Sequence, residues 1–271
     1  MRDEDSGTGH QRSGQAGVRS LAPNDPRQYD ELAAEWWRPD GAFAALHWLA
    51  EARARLVPPA RRPDALLVDL GCGGGLLAPH VAGKGYRHVG VDLVGSALRQ
   101  AAAHGVVPVN GDATAVGLAD RCADVVTAGE LLEHVPRWPA VVAEAIRLLR
   151  PGGTLVLDTL NDTALSRLLA VRVAERLPGV PRGIHDPALF VDDRALIDEC
   201  ARHGVRLQVR GIRPTFWGTT RWLVRRARGP RRPGPAPDPA RAGGAGPRAA
   251  RIVPTWSTAV LYQGWGVRQE A

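Results

Sequence analysis

Glu130, Glu133 and His134 are spaced so that one helical turn would gather two carboxylates and an imidazole on one face. Such a set offers two chemistries. Carboxylate oxygens beside an imidazole suit Mg2+, Mn2+ or Zn2+, and an ion held there would acidify a hydroxyl bound to it. Without a metal, His134 is the natural general base, with a glutamate to orient it. A plainly structural alternative has Glu130 capping a helix while His134 packs under a bound ligand. The run follows an apolar stretch over 123–128, which would place it at the carboxyl edge of a strand, where open α/β sheets bind ligands.

The second constellation is Val68-Asp69-Leu70-Gly71-Cys72-Gly73-Gly74-Gly75, with Asp92 ending the next apolar run. Ala65 to Leu70 fits a short buried parallel strand, and the glycines behind it permit positive φ and close approach of a ligand. Leu76 to Lys84 then opens a helix, whose first N–H groups would surround the loop. Asp92, roughly 20 residues beyond the glycines, can accept both hydroxyls of a ribose. A dinucleotide site needs a third glycine three places after the second. Counted from Gly71 and Gly73 that place holds Leu76; counted from Gly73 and Gly75 it holds Ala78, with the strand two residues too far back. The spacing therefore favours one nucleoside over two, the plain alternative being glycines that only turn the chain from strand to helix; the combination resembles the one with which class I methyltransferases hold S-adenosylmethionine.

More of the chain joins this pattern. Trp36-Trp37, Gly41 with Phe43, Leu46-His47, Arg53, the Glu130-to-Val135 run, Pro151-Gly152-Gly153, Thr159-Leu160-Asn161 and Gly183 through Asp186 with Phe190 together resemble the ubiquinone-biosynthesis O-methyltransferase family. The resemblance covers about residues 24–215 and then fades. It implies S-adenosylmethionine as cofactor and a phenolic or catecholic small-molecule acceptor, lipophilic and most simply a polyprenylated quinone precursor. Arg53 is implied as partner of the cofactor's methionine carboxylate, Gly71, Gly73, Asp92 and Gly129 as further contacts and Asp69 for the ammonium group; Gly111-Asp112-Ala113 departs from the family and is closer to the general superfamily pattern, in which an acid such as Asp112 after the third strand meets the adenine. Some members use the Glu130, Glu133 and His134 equivalents for a divalent metal, which a catechol could chelate. His185 is implied as a second proton-transfer residue beside the acceptor, with His47, Asn161 and Asp186 nearby. Two other readings stay open: a secondary-metabolite phenol as acceptor, and a cofactor-binding regulatory or membrane-associated protein without turnover.

To position these groups the chain alternates strand and helix. Strands are expected near 65–70, 88–92, 106–110, 123–128, 153–160, 205–212 and 258–264, with helices near 76–84, 95–104, 138–149 and 192–203. This predicts an α/β fold: a doubly wound, mostly parallel seven-stranded sheet with an antiparallel last strand. Two amphipathic helices, over 24–37 and 42–56, would form an N-terminal helical cap. Residues 1–23 read as a disordered tail and 24–271 as a single methyltransferase domain, with a lid over 162–191 and a mobile Arg/Pro/Gly-rich loop over 229–251.

The formal charge of +7 has one source. Arg213 to Arg251 contains ten arginines and one acid, Asp238, a local charge of +9 that leaves −2 for the rest of the chain. No aromatic residue lies within Gly229 to Arg251 to stack on bases, so no nucleic-acid partner is expected. The lid pairs Leu165, Leu168 and Leu169 with Arg167, Arg172 and Arg176, a composition that could touch a membrane surface. Three scattered cysteines make no disulfide framework, and no apolar stretch reaches 18 residues. These features predict a cytoplasmic protein, at most peripheral to the inner face of the membrane.

Overall fold

The computed structural model describes residues 24–25, 27–38, 41–176, 183–227 and 251–270. The expected tail over 1–23, positions 177–182 of the lid and 229–250 of the arginine-rich loop lie outside these residues. Eight strands form one sheet: β1 (Ala65–Leu70), β2 (Tyr86–Asp92), β3 (Val107–Asn110), β4 (Ala123–Gly129), β5 (Leu149–Leu160), β6 (Gln208–Pro214), β7 (Ile252–Thr255) and β8 (Leu261–Val267). Their order is β3-β2-β1-β4-β5-β8-β6-β7. The first five are mutually parallel, β8 runs antiparallel to both β5 and β6, and β7 runs antiparallel to β6.

The helices are α1 (Arg27–Glu31), α2 (Ala44–Ala54), α3 (Ala78–Val81), α4 (Gly95–Ala103), α5 (Trp138–Leu148), α6 (Ala164–Ser166, continuing as a π-helical stretch over Arg167–Val173), α7 (Asp193–Arg202) and α8 (Phe216–Ala227). The central strands are apolar on both faces because helices cover both. Val68, Leu70, Val126 and Leu157 pack with Val142, Ile146 and Leu196 of α5 and α7, all essentially solvent-free. Each such side chain contributes about 1.5–3 kcal/mol. On the other face, Leu67, Val125 and Val156 meet Ala54 of α2 and Leu77 and Val81 around α3. The strand order reverses between β1 and β4, so the glycine loop after β1 and the Glu130 run after β4 open onto one crevice at the carboxyl edge.

Four expectations need correction. The sheet has eight strands, not seven: β7 is four residues long, contains Pro254 and pairs only along β6. A short edge strand with proline carries little pattern to read. The last strand lies three residues later than expected, over Leu261–Val267. The single helix expected over 24–37 breaks into α1 and a 3-10 turn at Ala33–Glu35, because Trp36 and Trp37 leave the helical register to contact the glycine loop. Finally, α8 was not anticipated at all.

Candidate functional site

A cavity of about 460 Å3 opens at that crevice. Its floor is the glycine loop. Gly71 and Gly73 adopt φ of +64° and +51°, which only glycine takes without strain. A Cβ on Gly71 would come 2.7 Å from Leu131 Cδ1, and one on Gly73 would come 2.4 Å from the Trp36 ring. The loop is thus closed from one side by the residue after Glu130 and from the other by the N-terminal cap. Trp37 adds a latch, its indole N–H donating to the Gly74 carbonyl at 3.0 Å while its ring stacks on His104.

Asp92 sits at the end of β2 with both carboxylate oxygens in use. Oδ2 accepts from Gly73 N–H and Oδ1 from Val94 N–H, each at 2.8 Å. Burial raises its pKa, and these two N–H groups pull it back. Each oxygen retains a second lone pair, so the carboxylate can still accept ribose hydroxyls. Asp69, on β1, accepts from Thr127 Oγ1 at 2.5 Å and lies 3.7 Å from His88 Nε2. Asp112 is exposed at the rim, where its Oδ1 accepts from Thr114 N–H and Oγ1, which lower its pKa. All three line the cavity.

Arg53 reaches the cavity from α2, pressed so closely on Gly129 that a Cβ there would overlap its guanidinium. Its Nε and Nη2 make a bidentate pair with Asp158 of β5 at 2.8 and 2.7 Å, both residues buried. Burial opposes the guanidinium charge, but Asp158, supported by Asp69 and Glu130, more than reverses this and holds it protonated. Sequence reasoning had not singled out Asp158.

The Glu130, Glu133 and His134 trio does not converge. Glu130 precedes the turn with φ of +50°, unusual for a side chain of this size, and its backbone N–H donates to the Asp158 carbonyl. Its carboxyl is pushed well above the usual range by burial and by Glu133 and Asp158, with which it also shares a hydrogen bond. Glu133 is fully buried, its Oε2 accepting from Thr159 Oγ1 at 2.7 Å and its Oε1 without a partner; burial pushes it up to about 7. His134 turns instead toward the cap. The positive φ of Glu130 takes it out of the helical register of the 3-10 turn Leu132–His134 that follows, and Glu133 is fully buried while His134 lines the cavity. Among the described residues no three His, Cys, Asp or Glu side chains are grouped to hold a metal ion. The donor set does not fit the divalent metal expected there, and no step is routed through one.

His134 is instead the centre of a polar cluster. Asn24 Nδ2 donates to the His134 carbonyl at 2.7 Å, which leaves Asn24 Oδ1 facing His134 Nδ1 at 2.6 Å. Nδ1 must then carry the proton, and the lone pair lies on Nε2, 3.4 Å from the Tyr29 hydroxyl. Burial, reinforced by His185, lowers the His134 pKa to about 3, so the ring is neutral. The His185 ring stacks on it at 5.5 Å and pairs through Nδ1 with Glu175 Oε1 at 3.3 Å. Despite partial burial, Glu175 is held below its usual pKa by His185 and by the N–H groups of Gly183 and His185.

Three expected neighbours of the acceptor are elsewhere. His47 bonds the Trp36 carbonyl, Asn161 Nδ2 donates to the Thr258 carbonyl, and Asp186 caps the 3-10 turn Pro187–Leu189. All three serve backbone groups, and none lines the cavity. In their place the wall is aromatic: Trp36 stacks on Phe43 at 4.2 Å, Tyr29 lies beside both, and Trp222 and Thr219 of α8 complete the opposite side. The uncovered apolar face of the cap pointed toward the first three; nothing in the sequence flagged the α8 pair.

This fold and this glycine-loop site define a class I S-adenosylmethionine-dependent methyltransferase. The pattern of the family described as "Methyltransferase domain" matches residues 68–157. The chain is 37% identical over 200 residues to a "Ubiquinone biosynthesis O-methyltransferase" of Burkholderia thailandensis, covering 70% of this chain and 86% of that one. It is 42% identical over 174 residues to the protein of that name from Thiobacillus denitrificans, covering 60% and 75%. The chain belongs to the ubiquinone-biosynthesis O-methyltransferase family. Among solved structures it resembles a SAM-dependent methyltransferase, possible histamine N-methyltransferase, from Thermotoga maritima (TM-score 0.59, 15% identity, covering 90% and 99%). It also resembles phosphoethanolamine N-methyltransferase 2 of Haemonchus contortus (TM-score 0.55, 15% identity, covering 89% and 60%). At such identities the likeness shows the fold alone.

Proposed function

We propose that the chain methylates a hydroxyl oxygen of a phenolic or catecholic, lipophilic small molecule, a quinone precursor. The observation that carries this reading is the pairing of a nucleoside-sized glycine cradle with an aromatic-walled cavity that holds two stacked imidazoles, His134 and His185. The cofactor, when bound, supplies a methyl group on a positively charged sulfur. Gly71 and Gly73 give its nucleoside room, Asp92 accepts the ribose hydroxyls, Asp112 meets the adenine edge, and Asp69, Gly129 and the outward donors of Arg53 surround the amino-acid end.

A phenol with a pKa near 10 is a poor nucleophile at neutral pH and must lose its proton as it attacks. His134, at about 3, is too weak a base for that. Its tautomer is nevertheless fixed by Asn24, so its Nε2 accepts from the Tyr29 hydroxyl, and His134 thereby positions Tyr29 against the acceptor. His185 takes the proton. Glu175 is an ionised partner that stabilises the imidazolium formed, as a carboxylate does in other base–orienter pairs. Tyr29, Trp36 and Phe43 supply the flat apolar wall that an aromatic ring stacks against.

Isothermal titration with S-adenosylmethionine followed by a methyl-transfer screen against catechols tests the reading. Micromolar binding with transfer to oxygen is the expected result; binding without any turnover would favour a regulatory role, and transfer only to nitrogen acceptors would replace the acceptor class.

A further inference from the structure

Asp69 lines the cavity although it is only 2% exposed, and two neighbouring strands flank its carboxylate. From β4, Thr127 Oγ1 donates to Oδ1 at 2.5 Å. From β2, His88 Nε2 stands 3.7 Å from Oδ2. The strand register accounts for this grouping. Asp69 lies beside Gly90 of β2 and Thr127 of β4, and His88 precedes Gly90 by two residues. Registered neighbours share a face of the sheet, as do residues two apart along a strand, so Thr127, Asp69 and His88 all point to one side. Gly90 places no side chain between the last two, and a Cβ there would come 2.6 Å from Cys72 Sγ.

His88 is otherwise unexplained. Its ring is 7% exposed, and neither nitrogen has a hydrogen-bond partner among the described residues. An imidazole carries a proton on at least one nitrogen, and a buried N–H without an acceptor is costly. The carboxylate it faces is that of Asp69, whose Oδ2 accepts no hydrogen bond from the described residues. At 3.7 Å the two stand just beyond direct hydrogen-bond range, a gap that a small rotation of either side chain closes. His88 pairs in register with Leu67, one pleat deeper than Asp69, and does not line the cavity. Whatever it does for a bound molecule must therefore pass through Asp69.

We infer that His88 is a positioning residue for the amino-acid end of the cofactor. It steadies Asp69 Oδ2 from beneath while Thr127 steadies Oδ1, and each oxygen keeps a second lone pair for the ammonium group. The inference rests on the reading of Asp69 as the ammonium's partner.

Calorimetric titration of the full chain with two ligands tests it: S-adenosylhomocysteine, and methylthioadenosine, which keeps the nucleoside and the sulfur but lacks the amino-acid end. His88→Leu should weaken S-adenosylhomocysteine about tenfold and leave methylthioadenosine unchanged. His88→Gln, which restores an N–H donor, should recover part of the loss. In turnover, His88→Leu should raise KM for S-adenosylmethionine and leave KM for a catechol as it was. Asp69→Asn should show the same selective loss, and His88→Leu added to it should cost little more, because the two act as one unit. Equal weakening of both ligands would mean that His88 only packs the strand, and additive losses that it acts apart from Asp69. Either result overturns the inference, as does unchanged binding of both ligands by His88→Leu. If Asp69→Asn itself leaves S-adenosylhomocysteine binding intact, the ammonium reading falls and the inference with it. A selective loss in Asp69→Asn without one in His88→Leu strikes the inference alone.

Discussion

Asn24 holds His134 by two hydrogen bonds, one to the carbonyl at 2.7 Å and one to Nδ1 at 2.6 Å, across 110 residues of sequence. The cap thereby decides which imidazole nitrogen carries the proton. Replacing Asn24 with Ala should free the ring to change tautomer. We expect kcat to fall ten- to a hundredfold with little change in cofactor affinity, and stability to fall by about 1 kcal/mol for the lost buried bonds. Steady-state kinetics beside titration calorimetry would check this; an equal loss of both would mean that Asn24 merely holds the cap in place.

His185 is the assigned proton acceptor, so His185→Asn should abolish most turnover while leaving S-adenosylmethionine binding intact. Glu175→Gln should retain some activity but lower kcat with cofactor affinity unchanged, because a neutral partner no longer stabilises the imidazolium formed during transfer. A kcat of Glu175→Gln equal to the wild type would remove Glu175 from the mechanism.

The Arg53–Asp158 pair is buried and bidentate, so breaking it leaves an uncompensated charge. Asp158→Ala should cost about 3–5 kcal/mol of unfolding free energy, and a double replacement by apolar residues noticeably less than twice that. Urea unfolding of the single and double variants measures the difference. Additive losses would show that the two residues are not coupled.

Glu133 and His134 pull stability in opposite directions with pH. The Glu133 carboxyl is raised by burial from 4.5 to about 7, so its contribution is full below pH 4.5 and disappears as pH rises toward 7. His134 is lowered by burial from 6.5 to about 3, so its contribution is full above pH 6.5 and disappears as pH falls toward 3. The isosteric Glu133→Gln should therefore gain stability relative to wild type as pH goes from about 4.5 to 7, while keeping the Thr159 contact. A difference independent of pH across that window would refute the buried, proton-holding carboxyl.

At the cofactor site, Asp92→Asn should weaken S-adenosylmethionine binding about tenfold or more through loss of charge-assisted acceptance. Gly73→Ala should do worse. Its methyl group would meet the Trp36 ring at a φ that alanine tolerates poorly, so the cap must shift as well. Intact cofactor affinity in Gly73→Ala would remove the glycine loop as the cradle.

How much of this could be read before folding varies with the range of the interaction. The glycine turn and Asp92 facing it were legible because a strand, its turn and the end of the next strand are all specified within about 20 residues. The parallel core and α5 followed from apolar period alone. The metal trio was misjudged for a local reason: Glu130 takes a positive φ, which breaks the helical turn assumed over residues 130–134.

By itself the sequence determined the five parallel strands with the helices between them, the glycine turn and the acid that faces it, since each depends on neighbours along the chain. Tertiary structure alone decided that Arg53 pairs with Asp158, that Asn24 sets the His134 tautomer, and that α8 shows arginine and tryptophan outward while Trp222 lines the cavity. Those pairings join residues 100 or so positions apart, and burial, not sequence spacing, sets the charge state of each group they bring together.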